Sequence, residues 1–148
     1  MSNLINLKEL DLSYNSITKI SGLNKLSELE LLNLSFNKIK EIHGLGSLSQ
    51  LRLLYLDHNI IEIMQGFERL SNLICLNLND NRINEISGIE NLFHLDTLHL
   101  MGNMISHILN VQELKGISWI NLEGNPISEA ELDKIGGRRY MKAVFNKP

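Results

Sequence analysis

The chain has a single cysteine in 148 residues, Cys75, so it holds no internal disulfide. Aromatic residues are scarce, at four Phe, three Tyr and one Trp, so the core has to be built from leucine and isoleucine. No segment approaches the roughly 18 unbroken apolar residues of a membrane span. The start, Met1-Ser2-Asn3-Leu4, has neither a charged leader nor a long apolar run, and no signal peptide is read there. Basic residues cluster no further than Gly136-Gly137-Arg138-Arg139, and the net charge is -3. A nucleic-acid binder sets a basic stripe against phosphate, so direct nucleic-acid contact is not expected.

Chemistry-bearing constellations are equally thin. His43, His58, His94, His99 and His107 fall at different phases of the pattern described below, so no metal set converges. The recurrent glycines stand singly in turns and build no phosphate loop. Asp57 and Asp80 lie near His58 but no activated serine accompanies them. The expectation is a chain that is not an enzyme, with no cofactor, no metal and no membrane contact.

What the chain does have is an asparagine every 22 residues: Asn15, Asn37, Asn59, Asn81, Asn103 and Asn125. An apolar-x-apolar pair precedes each, from Leu10/Leu12 to Ile120/Leu122, and an isoleucine follows two residues later, from Ile17 to Ile127. Alternation around Leu32-Asn33-Leu34 predicts a short strand with two inward residues. Ile39, Ile42, Leu45 and Leu48 then line the return path. Copies of one unit at this period stack into a solenoid with a parallel sheet. The return spans only about 16 residues, so 3₁₀ turns or extended backbone are expected there rather than a long helix. Gly22, Gly44, Gly66 and Gly88 recur seven residues after the asparagines and mark tight turns. A buried asparagine amide, with two donors and an acceptor, suits the satisfaction of backbone groups within and between units.

The frame Leu-x-x-Leu-x-Leu-x-x-Asn-x-Ile-x-x-Ile-x-x-Leu-x-x-Leu resembles the leucine-rich repeat. Its length is similar to the class typified by the leucine-rich regulatory subunit of protein phosphatase 1. The spliceosomal A-prime protein, the outer-arm dynein leucine-rich light chain and centriolin-like centrosomal proteins look similar. The resemblance implies an α/β solenoid: a right-handed superhelix with a concave parallel sheet, short convex segments and a helical C-terminal cap. It places six 22-residue repeats in residues 1–127 and the cap in 128–148. Leucine-rich proteins outside the cell often carry cysteine-rich caps. Their absence here suggests a cytoplasmic protein, with centrosomal, axonemal or nuclear settings within the class.

At the C-terminal end, Ser128-Glu129-Ala130-Glu131 has the spacing of a helix capping box. Ala130, Leu132 and Ile135 are expected to face the open end of the core. Asn125-Pro126, Tyr140, Val144 and Pro148 are similar to the C-terminal leucine-rich-repeat cap, with Met141 where that motif carries arginine. The first repeat shows no such cap. The chain is therefore expected to be a fragment of a longer protein, a monomer or a weak dimer through its unpaired N-terminal edge.

The asparagines locate the outward columns of the sheet, six, four and two residues before each. The first column reads Glu9, Leu31, Leu53, Cys75, Thr97, Trp119; the second Asp11, Asn33, Tyr55, Asn77, His99, Asn121; the third Ser13, Ser35, Asp57, Asn79, Met101, Glu123. A solvated face is expected to be polar, yet Leu31, Leu53 and Cys75 make an apolar row. Tyr55 and Trp119 add aromatic area of the kind that anchors interfaces. A protein partner, as a helix or an extended peptide, is expected along this row, with Asn77, His99 and Asn121 orienting it. Two other expectations are a ribonucleoprotein component like the A-prime protein and a substrate-recruiting part of a larger enzyme. Tyr14, Phe36 and His58 form a further column just before the asparagines, expected to pack the loop edge.

Overall fold

The computed structural model describes residues 5–109, 114 and 116–135. Six three-residue strands follow the apolar-x-apolar pairs: β1 Glu9–Asp11, β2 Leu31–Asn33, β3 Leu53–Tyr55, β4 Cys75–Asn77, β5 Thr97–His99 and β6 Trp119–Asn121. They form one parallel sheet in chain order, and each residue pairs with the one 22 positions later, as Leu32 does with Leu54. Six strands joined by five returns make a solenoid of five turns.

The return path is closed by paired tight turns. Leu26 N–H donates to the Leu23 carbonyl and Leu29 N–H to the Leu26 carbonyl, and the same two bonds recur at Leu48/Leu51, Leu70/Leu73 and Leu92/Leu95. These i to i+3 bonds are the 3₁₀-type geometry that a short crossover requires. One α-helix is described, α1 Glu129–Asp133. Among the described residues no helix is long and apolar enough to cross a membrane.

Between sheet and return path runs a single aliphatic core. Leu32, Leu54, Leu76 and Leu98, the middle residues of the inner strands, are completely buried. Met64 stands where other repeats carry isoleucine and Phe67 where they carry Leu45 or Ile89, and Phe67 is the largest fully buried side chain. At β1, Leu10, Leu12 and Ile17 are only partly buried, because no described residue stacks on their outer side.

The ladder asparagines tie neighbouring repeats together. The Asn37 carbonyl accepts the Ile17 N–H at 2.9 Å while its amide donates to the carbonyls of Leu12 and Leu34. Asn59, Asn81, Asn103 and Asn125 repeat both links. Among the described residues Asn15 bonds only its own turn, at the carbonyls of Leu12 and Ser13.

Ser128 caps α1, its hydroxyl accepting the Glu131 N–H at 3.3 Å. Leu132 is buried and Ile135 packs partly on the core, but Ala130 is exposed, contrary to expectation. Ala130 lies two residues before Leu132, about 200° round the helix, whereas Ile135 follows by three and shares its face. The second half of the expected cap, with Tyr140, Val144 and Pro148, lies outside the described residues.

Candidate functional site

The short strands bring the first two outward columns into strict register. Leu31, Leu53 and Cys75 stand side by side on β2, β3 and β4, followed by Thr97 and Trp119. The second column sets Asn33, Tyr55, Asn77, His99 and Asn121 in line beside them. Adjacent strands lie about 4.8 Å apart, so the apolar row is continuous. Every one of these residues is half-buried, shielded by its neighbours and open on the outer side. His99 and Trp119 meet across β5 and β6 with ring centroids 4.5 Å apart and planes tilted by 59°.

Charge on this face is set by environment. Burial lowers the His99 imidazole below its ordinary pKa, against an opposing pull from the Asp57 carboxylate. Burial raises the Tyr55 phenol, with Cys75 and Asp57 adding to the shift. Burial also raises the Cys75 thiol, which stays protonated at neutral pH and is a small apolar contact rather than a nucleophile.

Two of the expected orienting residues are also used inside the fold. The Asn77 side-chain oxygen accepts the Asn79 N–H at 3.1 Å and that of Asn121 the Glu123 N–H at 3.0 Å, each closing its strand end. The Asn77 amide reaches back to Asp57 Oδ1 at 3.0 Å. The Ser35 hydroxyl donates to the same oxygen at 2.6 Å. Asp57 is thus held by side chains from both flanking repeats, and among the described residues no donor reaches its Oδ2. Spacing alone did not single out Asp57, although its place between Ser35 and Asn79 in the third column was the available signal.

A second feature runs along the edge where the strands end. Tyr14 and Phe36 stack at 4.3 Å and 9°, and Phe36 and His58 at 4.1 Å and 21°. His58 Nε2 then lies 3.4 Å from Asp80 Oδ2. All four hold left-handed backbone, with φ of 55, 56, 53 and 52°. The same position in the next two repeats is Gly102 and Gly124. Among the described residues no group of three or more His, Cys, Asp or Glu is arranged to hold a metal ion. Two open depressions lie on the side where the strands begin, one lined by Gln50, Arg52, Asn72, Ile74 and His94, the other by Ile5, Asn6, Lys8, Ser27 and Glu28.

A family model described as Leucine Rich repeats (2 copies) matches residues 5–45. No curated protein matches the chain. Among solved structures, an internalin, InlF of Listeria monocytogenes, is similar at 29% identity and a TM-score of 0.82, over 92% of this chain and 40% of its own. A leucine-rich repeat protein of Leptospira interrogans is similar at 31% identity and 0.79, over 89% of this chain and 35% of its own. The functional domain of InlJ of Listeria monocytogenes, which includes a cysteine ladder, is similar at 26% and 0.71, over 87% of this chain and 28% of its own. This chain, with Cys75 alone, has no such ladder. It spans less than half the length of each of these proteins. The matched repeats at 5–45 and the shared solenoid together support a leucine-rich repeat protein.

Proposed function

We propose that this chain is a non-catalytic protein-interaction module that receives a partner helix or extended peptide on its sheet face, the concave one in the leucine-rich repeats it resembles. One observation carries the reading: Leu31, Leu53 and Cys75 form an unbroken apolar row on a face whose other positions are mostly polar. Tyr55 flanks the row, and Trp119 with His99 closes its far end. Asn77 and Asn121 border it with polar groups partly committed to the fold. Leucine-rich repeat proteins generally mediate protein–protein interaction, and the sheet gives this one rigid strands on which to hold anchors. A ribonucleoprotein role finds no basic surface on this face. The proposal includes a cytoplasmic setting, in which a half-exposed thiol such as Cys75 stays reduced.

The test compares partner capture by the wild-type chain and by a Tyr55→Ser/Trp119→Ser variant whose folding is checked by circular dichroism. Loss of the captured protein from the folded variant supports the proposal. Equal capture by both overturns it.

A further inference from the structure

We infer that the occupant of the sheet face is a polypeptide segment carrying an arginine or lysine flanked by apolar side chains, an inference that rests on the interaction reading above. The three outward columns hold four carboxylates, Glu9, Asp11, Asp57 and Glu123, and no lysine or arginine. The chain has 14 Lys and Arg, all of them elsewhere. Of the four carboxylates, Asp57 decides the chemistry, because it sits beside the apolar row rather than at an end. It follows Tyr55 by two residues and Leu53 by four, on the same exposed side of β3.

A partner seated on Leu53 and Tyr55 that extends about 7 Å further along the strand direction also covers Asp57. Its Oδ1 is already engaged by Ser35 and Asn77, while its Oδ2 has no donor among the described residues. A carboxylate stripped of water without a cation is strongly unfavourable. The covering segment therefore supplies the cation itself. Arginine suits the position, because a charge-assisted bond to a carboxylate already oriented by its neighbours needs little further ordering. The same geometry works against acidic peptides, nucleic acid and anionic lipid, each of which brings negative charge onto Asp57.

The probe is a random twelve-residue peptide library displayed on phage and selected on the immobilised chain, with enriched peptides re-measured in solution by fluorescence polarisation. Enriched sequences are expected to pair Arg or Lys with Leu, Ile, Phe or Met. Affinity is expected to fall about tenfold or more with Asp57→Asn, an isosteric change that keeps an acceptor for Ser35. Replacing the peptide's basic residue by norleucine is expected to give a comparable loss, and the two losses are expected not to add. The peptide-side change also tests the idea should Asp57→Asn disturb folding. Enriched peptides without basic residues, or peptides indifferent to both changes, overturn the inference. If these peptides are still lost from the Tyr55→Ser/Trp119→Ser variant, the interaction reading survives. A library that yields no binder, or binders indifferent to that double variant, counts against both.

Discussion

The side-chain oxygen of Asn59 accepts the backbone N–H of Ile39 at 2.9 Å, twenty residues earlier in the chain. Its amide meanwhile donates to the carbonyls of Leu34 in the preceding repeat and Leu56 in its own. One buried side chain thus closes a turn and joins two repeats. Asn15 has the same place in the frame but is exposed and, among the described residues, bonds its own turn alone. Asn59→Ala is therefore expected to cost about 1–3 kcal/mol, the penalty for orphaned buried groups. Asn15→Ala should cost well under half of that, since water replaces what is lost. Urea denaturation of the two variants compares them directly, and equal losses would show that the inter-repeat bonds contribute nothing.

The turn glycines give a second graded comparison. Gly22 and Gly66 both hold left-handed backbone, with φ of 79 and 82°. A Cβ on Gly22 meets nothing within 4 Å, but one on Gly66 comes 2.5 Å from the Ile42 carbonyl oxygen. Gly22→Ala should cost only the backbone strain, about 1–2 kcal/mol. Gly66→Ala carries the same strain plus displacement of a neighbouring repeat's backbone. Thermal melts are expected to rank the wild type above Gly22→Ala and Gly22→Ala above Gly66→Ala. The reverse order of the two variants would contradict the close packing of turn on turn.

The contrast between legible and hidden features follows from which quantities a period determines. A 22-residue spacing fixes strand register, so the pairing of Leu31, Leu53 and Cys75 and the inward turn of Leu32 and Leu54 could be read by counting. It also located the asparagine column and the glycine turns. The left-handed backbone at Tyr14 and Phe36 could not be read this way, because such aromatic residues do not signal that conformation; Asp80, Gly102 and Gly124 in the same column, residue types that adopt it more readily, hint at it. Asp57 was hidden for another reason. Its partner Ser35 is one period back, but its link to Asn77 crosses diagonally between columns and depends on side-chain rotamers. Asn77 and Asn121 read as orienting groups by polarity alone, whereas three-dimensional placement also assigns their oxygens to strand ends.

Phe36 yields a prediction whose sign is diagnostic. Its ring stacks on Tyr14 and His58, and its backbone lies at φ of 56°. Both Phe36→Ala and Phe36→Gly remove the stack, but only glycine also relieves the left-handed strain. Phe36→Gly is thus expected to be more stable than Phe36→Ala by about 1 kcal/mol. In ordinary helix or strand backbone the glycine variant is the weaker one by about 0.5–1 kcal/mol. Chemical denaturation resolves the difference, and an alanine variant more stable than the glycine one would remove the case for strain at this edge.

Glu131 links α1 to the preceding repeat and carries a pH signature. The Lys134 ammonium, 2.6 Å away, is the main cause that lowers its pKa, to about 2, followed by the bond from the Ile108 N–H at 2.8 Å. His107 Nδ1 lies 3.6 Å from the same carboxylate. The folded value is below the ordinary 4.5, so the ionised form is the one the fold favours. The stabilisation is therefore complete above pH about 4.5 and is lost as the pH falls toward 2. The Ile108 amide resonance should consequently titrate with a midpoint near 2, and Glu131→Gln should abolish that titration while speeding hydrogen exchange at the same amide. A midpoint at the ordinary carboxylate value would mean that Glu131 does not hold α1 to the Ile108 turn in solution.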